Sequence, residues 1–532
     1  MNALTIISFL TFTGLVAFIT WRMTRHDETS TSDGFFLGGR SLTFPFIAGS
    51  LLLTNLSTEQ LVGLNGGAFK EGLVVMVWEI FAVLALVAMA LFFLPRFLKS
   101  GITTVPEFLA LRYDKTTQAI ANFIFLIAYI FVLLPIILYT GATGMVGILG
   151  IDKLLGLPYQ STIILIAASV GIIGAVYALF GGLKTVAVSD TLNGIGLLIG
   201  GFLIVFFGLA AVGEGDGIMA GWNVLRETHP AKFNPIGGPE SDVPFSTIFT
   251  GVILLHLFYW CTNQQIIQRT LGAKSLAEGQ KGVLLTGALK LLGPLFLVIP
   301  GIIAFHLYSN EISPEKSDLA YGRLVNEVLP KPLVGFFAAA ILGAILSSFN
   351  SALNSTCTLF SLGLYKAKLR PDASQKDIVK SSRIFGCVVT VFAIAVAPML
   401  GSTGGIFQYL QSMNSIYFIP ILSVIVLGFF HKRIPPIAAN IALIAGVGIL
   451  CVTSFVAPVK EALAPIPGFH LVALVFALLI LMMIVIAKFR PLATPWQQVD
   501  AKLLDLTPWK HAKLCGVLLV LAVTTSYLMF IF

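Results

Sequence analysis

A chain of 532 residues that is 57% hydrophobic and only 11% charged lies far below the roughly one-quarter charge of ordinary soluble domains. With 50 Gly and 42 Phe, this composition excludes a large globular enzyme and fits a helical protein that crosses the membrane many times. The formal charge of +8 raises nucleic acid as a partner, but the distribution of those charges along the chain argues otherwise.

The first apolar stretch, 3–21, has no basic leader and is followed by Arg22 and Arg25, so it reads as a retained span with its N-terminus outside. Further apolar stretches fall at about 45–69, 73–95, 117–149, 158–180, 191–213, 245–268, 282–308, 332–365, 381–400, 404–430, 435–457, 468–487 and 514–532. That gives about fourteen spans, each near or above the ~20 residues a helix needs to cross hydrocarbon. The longest polar stretch, about 214–244, is too short to hold a core of its own, so 1–532 reads as a single transmembrane domain. The positive-inside rule tests this layout. Of 33 Lys and Arg residues, 24 fall in inner loops (Arg112, Lys184 and Arg269 among them), eight in outer loops, and Lys290 alone inside a span. The asymmetry places both termini outside. It makes the basic excess an orientation signal and an attraction to anionic lipid, with no nucleic-acid partner. Five cysteines, an odd number without metal-ligand spacing, read as packing residues.

The second span is interrupted at its middle: 51–67 reads LLLTNLSTEQLVGLNGG. Polar, breakable helix at that depth persists only where protein or a water-filled cavity surrounds it. Glu59 is costly there, at roughly 2.5–3.5 kcal/mol on insertion scales. Glu59, Glu79 and Lys290 are the charges well inside spans, and Asp190 is expected at the inner mouth of the sixth. So few ionisable groups can share one pocket, and such groups mark a pathway. A purely structural Glu–Lys pair is the bland alternative. A second polar interruption, HLFYWCTNQQ at 256–265, opens another five-span block. Broken helices in corresponding places point to two inverted repeats, about 45–213 and 245–457, with 3–21, 468–487 and 514–532 flanking them.

On the ninth span, AILSSFNSALNST at 344–356 puts Ala344, Ser347 and Ser348 at i, i+3 and i+4, on one face. Two hydroxyls plus the bare carbonyls of a broken helix form a neutral oxygen set suited to a monovalent cation. Small residues at a helix contact are the alternative reading. The chain carries no GxxxxGK[ST] phosphate loop, no HExxH and no nucleophile motif, so neither ATP hydrolysis nor an enzyme is expected.

These residues carry a family resemblance. FFLGGRSL (35–42), NLSTEQLVG (55–63), VPEFLALRY (105–113), YALFGGLKTVAVSD (177–190), FYWCTNQQIIQRTL (258–271), KLLGPLFLVIPG (290–301) and AILSSFNSALNST (344–356) resemble the sodium:solute symporters, and within them the bacterial sodium/sugar cotransporters of galactose/glucose type. The resemblance implies an all-α, LeuT-like fold of five plus five helices with flanking helices. It implies Na+ as the co-transported ion, without an organic cofactor or an obligate protein partner, in the bacterial inner membrane. It implies sodium ligands at the carbonyls of Leu53, Leu56 and Ala344 and the hydroxyls of Ser347 and Ser348. The sugar pocket would use Gln60, Glu79, Lys290 and Gln411, with Asn55 and Glu59 close by. Tyr259 would be the inner gate and Asn263 its support. Asp190 matches an acid linked to sodium release, and Asn350 and Ser351 stand where some relatives hold a second sodium. His256 replaces an amide and Ala82 a hydroxyl of sugar-binding relatives, which leaves the sugar itself open. An acidic sugar, polyol, carboxylate or amino acid carried by the same fold is the nearest competing expectation. A membrane sensor that binds solute without moving it is a more distant one.

Overall fold

Lipid offers backbone groups no partner, so the apolar runs fold into helices that satisfy themselves. The computed structural model describes residues 3–27, 29–400 and 406–531. Among these the chain is all-α, and extended pairing is confined to two isolated bridges, Leu42 with Ala273 and Ser275 with Asp505. Ten helices are long and apolar enough to cross a membrane, or twelve when each of two bent pairs counts as one. The two longest of the ten are 58–100, with 43 residues, and Tyr159–Val212, with 54. Each contains a glycine in the left-handed region, Gly72 at φ 73° and Gly182 at φ 68°, where a side chain would be strained. Close approach adds to the requirement, since a Cβ on Gly72 would sit 2.3 Å from the Lys232 carbonyl oxygen. The fourteen-span expectation divides these two helices at the same places. Residues 404 and 405 of one expected span, and 532 of the last, lie outside the described residues.

Ten elements position the site. They are α1 (Phe44–Asn55), α2 (Thr58–Glu71), α3 (Tyr159–Val212), α4 (Phe245–Cys261), α5 (Gln264–Leu271), α6 (Leu276–Lys290), α7 (Gly293–Tyr308), α8 (Lys331–Phe360), α9 (Gln375–Val396) and α10 (Ile406–Phe430). The break expected within TNLSTEQ falls at Leu56–Ser57, between α1 and α2. Leu56 leaves the helical region at ψ 61° and Ser57 is extended at ψ 176°. Asn and Ser favour such departures because their side chains compete for backbone partners. The second break falls at Thr262–Asn263, where α4 and α5 bend by 43°.

A third break falls within the expected span 282–308. The helix starts at Leu276 and bends by 51° after Lys290. Gly293 and Pro294 follow the bend, and proline supplies no N–H to continue a helix. Two residues assigned to inner loops are buried in the bundle. Arg112 is buried and donates to the carbonyls of Gly428 (2.7 Å), His431 (2.8 Å) and Ile434 (3.4 Å) around the end of α10. There the carbonyls of a helix C-terminus favour a cation. Arg269 is wholly buried on α5.

Candidate solute and sodium site

The first two breaks face one cavity of about 60 Å³. From the α1–α2 break come Thr54, Asn55, Ser57, Glu59 and Gln60, and from the α4–α5 region come His256, Tyr259, Asn263 and Gln265. Trp78, Phe407 and Gln411 also line it.

Behind this lining lies a buried polar chain. Gln60 Nε2 donates to Glu79 Oε1 at 2.5 Å, and Lys290 Nζ pairs with Glu79 Oε2 at 2.6 Å. Lys290 also donates to Asn55 Oδ1, while Asn55 Nδ2 reaches the Tyr259 hydroxyl at 3.4 Å. Lys290 and Glu79 are only 1% and 0% exposed, so each is the other's compensation in a medium that cannot solvate either. The unexpected α6–α7 bend makes this approach. Gly293 comes so near that a Cβ there would lie 2.4 Å from Glu79 Oε2.

The remaining pocket residues are less committed. His256 Nε2 is buried without a partner, and its ring lies 5.6 Å from that of Trp78. Glu59 is met by the Ser57 hydroxyl and its own backbone N–H, and by a long contact from the Thr140 hydroxyl at 3.5 Å. Gln411 is half-buried and also lines a second, larger chamber of about 880 Å³. Between the two spaces stand aromatic rings, with Trp78 at 5.3 Å from Phe407 and 5.7 Å from Phe469. Ala82 is fully buried and does not line the cavity. Beside the second break the Tyr129 hydroxyl donates to Asn263 Oδ1 and accepts the Gln265 N–H at 3.1 Å. Asn263 therefore anchors the second break to Tyr129, a residue the sequence reading missed.

The candidate ion ligands lie where α8 crosses the first break. The Ser57 N–H turns to the Asn55 carbonyl at 2.8 Å and the Gln60 N–H to the Ser57 carbonyl at 3.1 Å. Neither amide then takes its helical partner, the carbonyl of Leu53 or of Leu56. Ser348 Oγ donates to the Thr54 carbonyl at 3.2 Å, which joins α8 to α1 directly. Ser347 Oγ is buried toward Asp190 without a well-formed hydrogen bond, and Leu53, Leu56 and Ala344 are fully buried. Carbonyls and hydroxyls without a carboxylate suit a monovalent ion. Among the described residues no cluster of three or more His, Cys, Asp or Glu offers a divalent or transition-metal site.

Asp190 does not sit at a mouth. It is buried within α3, accepts from Ser50 Oγ at 2.6 Å and has its other oxygen free of partners. Of the candidate second-ion residues, Asn350 Oδ1 is unpartnered, whereas Ser351 Oγ is shared with the Thr54 hydroxyl at 3.0 Å and accepts from the Arg269 guanidinium. Arg269 also donates to the Gln265 carbonyl at 2.7 Å. The signal for it was the polar run Gln264, Gln265 and Gln268 on a membrane-depth helix, which a loop assignment ignores.

Helices broken at midplane around a polar cavity, with a hydroxyl-bearing helix laid across one break, define a LeuT-like sodium-coupled transporter fold. The solved structure of a Na+-coupled sialic acid symporter in a substrate-bound outward-open state has this fold: TM-score 0.77, 18% identity, covering 94% of this chain and 100% of that one. The model of the sodium:solute symporter family matches residues 35–446, and the chain belongs to that family. It is 46% identical over 531 residues to the "Uncharacterized symporter YidK" of Escherichia coli (strain K12), covering 99% of this chain and 91% of that protein. It is 34% identical over 439 residues to a sodium/glucose cotransporter of Vibrio parahaemolyticus, covering 79% of each. The chain is thus an integral membrane, Na+-coupled symporter, with sodium as the co-transported ion and no organic cofactor implied.

Proposed function

We propose that this symporter imports a small neutral polyhydroxylated solute, a hexose such as galactose or glucose, across a bacterial inner membrane with both termini outside. The observation that carries the reading is the state of Lys290, the lysine buried behind the pocket's lining. Lys290 is engaged by Glu79 and Asn55, so no free cation waits there for a carboxylate, and Glu59 puts a carboxyl group in the lining. An acidic sugar or carboxylate fits this less well than a neutral solute. Amides, carboxylates and the His256 ring supply both donors and acceptors for hydroxyls stripped of water. The sodium/glucose cotransporter relative supports the same class.

Gln60, Glu79, Lys290, Gln411, His256, Asn55 and Glu59 form the solute site in this reading. Tyr259 and Asn263 form the inner gate. Sodium binds the carbonyls of Leu53, Leu56 and Ala344 and the hydroxyls of Ser347 and Ser348, and leaves past Asp190. Two five-helix repeats, about 45–213 and 245–457, rock about this site. Sodium bridging α1 and α8 replaces the direct Ser348–Thr54 bond and orders the adjoining pocket, a coupling that must be reciprocal. One charge crossing ~100 mV yields about 2.3 kcal/mol, and a tenfold gradient adds about 1.4 kcal/mol. Together they support several-hundredfold accumulation per ion.

The test is uptake of labelled galactose and glucose into proteoliposomes. Uptake requires an inward Na+ gradient, and Ser348→Ala raises the sodium concentration needed while the protein still folds. Uptake indifferent to sodium refutes the coupling. Sodium-dependent uptake of anionic sugars alone refutes the neutral-solute reading.

A further inference from the structure

We propose that the groove between the π-helical end of α8 and the first turns of α9 binds an anionic phospholipid, with its phosphate at Arg370 and Lys380 and an acyl chain along Ile384 and Val388. The groove encloses about 430 Å³. It opens where α8 passes into a π-helix over Ser361–Leu369, a wider winding that is uncommon and recurs at functional places. Phe360 and Phe385 stack at 3.8 Å with 8° between their planes and close its back with a flat apolar wall.

Along α9, Lys380, Ile384 and Val388 follow at i, i+4 and i+8, which sets them on one stripe about 12 Å long. Ile384 and Val388 are 58% and 63% exposed on a helix of membrane-spanning length, so hydrocarbon is what they face. The charged end of the stripe is a different surface. Arg370 is held beside the groove by its N–H bond to the Tyr365 carbonyl at 2.7 Å. Among the described residues neither Arg370 nor Lys380 has a carboxylate within 4 Å, although Asp377 attracts both from further off and the Arg370 side chain bonds Tyr365.

The one acid lining the groove, Asp377, is engaged in capping α9. Its carboxylate accepts from Ser374 Oγ at 2.8 Å and from the Ser374 N–H at 3.3 Å. Over 366–380 five basic residues (Lys366, Lys368, Arg370, Lys376, Lys380) face two acids (Asp372, Asp377), leaving three positive charges in excess. The N-terminus of α9 adds to that field. A free phosphate would answer the charge and leave the apolar stripe bare. A zwitterionic lipid would cover the stripe and bring its own cation against Arg370 and Lys380. An anionic diacyl lipid satisfies both ends.

Native mass spectrometry of the full-length protein tests this with phosphatidylglycerol, with phosphatidylcholine of the same chains, and with inorganic phosphate as competitor. The wild type is expected to retain phosphatidylglycerol about tenfold over phosphatidylcholine. Arg370→Gln/Lys380→Gln lowers retention to the phosphatidylcholine level with unchanged thermal unfolding in phosphatidylcholine, and Val388→Trp, which fills the apolar end, lowers it with the charges intact. Equal retention of the two lipids by the wild type overturns the proposal, as does undiminished phosphatidylglycerol on the double variant. Displacement of the lipid by phosphate alone reassigns the groove to a bare anion and also overturns it.

Discussion

Two lysine–carboxylate pairs in this molecule have almost the same geometry and opposite significance. Lys290 meets Glu79 at 2.6 Å with both side chains at most 1% exposed, while Lys70 meets Asp242 at 2.9 Å with 43% and 45% of their side chains in the open. Distance does not distinguish them; surroundings do. At the surface, water screens the charges and the pair contributes about 0–1 kcal/mol. In the bundle, each ion has surrendered its hydration, and removing either strands the other at a cost of about 3–5 kcal/mol. The inner pair is thus a commitment of the fold that also governs the pocket, whereas the outer pair helps fasten the 229–245 loop, where Ser241 also donates to Glu71 at 2.7 Å.

The comparison breaks most sharply at Lys290. Lys290→Ala is expected to destabilise by about 3–5 kcal/mol, with Glu79→Ala similar. The paired Glu79→Gln/Lys290→Met change recovers most of that in thermal unfolding while still losing solute binding. A double variant as unstable as the singles would mean the pair is not what each ion relies on. Gly293→Ala comes next. A methyl group 2.4 Å from Glu79 Oε2 forces the α6–α7 bend to open, at about 1–3 kcal/mol, and solute affinity falls with it in a binding assay. Asp242→Asn is the smallest, within about 1 kcal/mol, and its effect disappears in high salt while that of Lys290→Ala persists.

How much of this was legible in the sequence follows the same division. The first break was visible because TNLSTEQ contradicts its apolar surroundings, and the second because Thr262, Asn263 and Gln264 do the same. The α6–α7 bend was hidden, since Gly293 and Pro294 sit in a uniformly apolar run and both residues are ordinary in membrane helices. Yet that bend is what brings Lys290 to Glu79. Arg269 and Asp190 were placed near loops by a rule that counts charges outward from the membrane, and such a rule has no place for ions compensated within the bundle. The aromatic partition of Trp78, Phe407 and Phe469 was illegible for another reason: 42 phenylalanines give no hint of which ones meet.

Asn55 is the final helical residue before the unwound turn, and its amide is occupied at both ends, by the Lys290 ammonium on the oxygen and by the Tyr259 phenol on the nitrogen. Under the proposed function, cargo that draws Lys290 toward itself would loosen the phenol's tether in the same movement, so word of loading would travel through one small side chain without any relay across the bundle. Asn55→Asp keeps the grip on the ammonium and drops the donor to the phenol. It should leave cargo affinity within a few-fold of normal while an accessibility probe on the cytoplasmic face reports the floor of the pocket ajar.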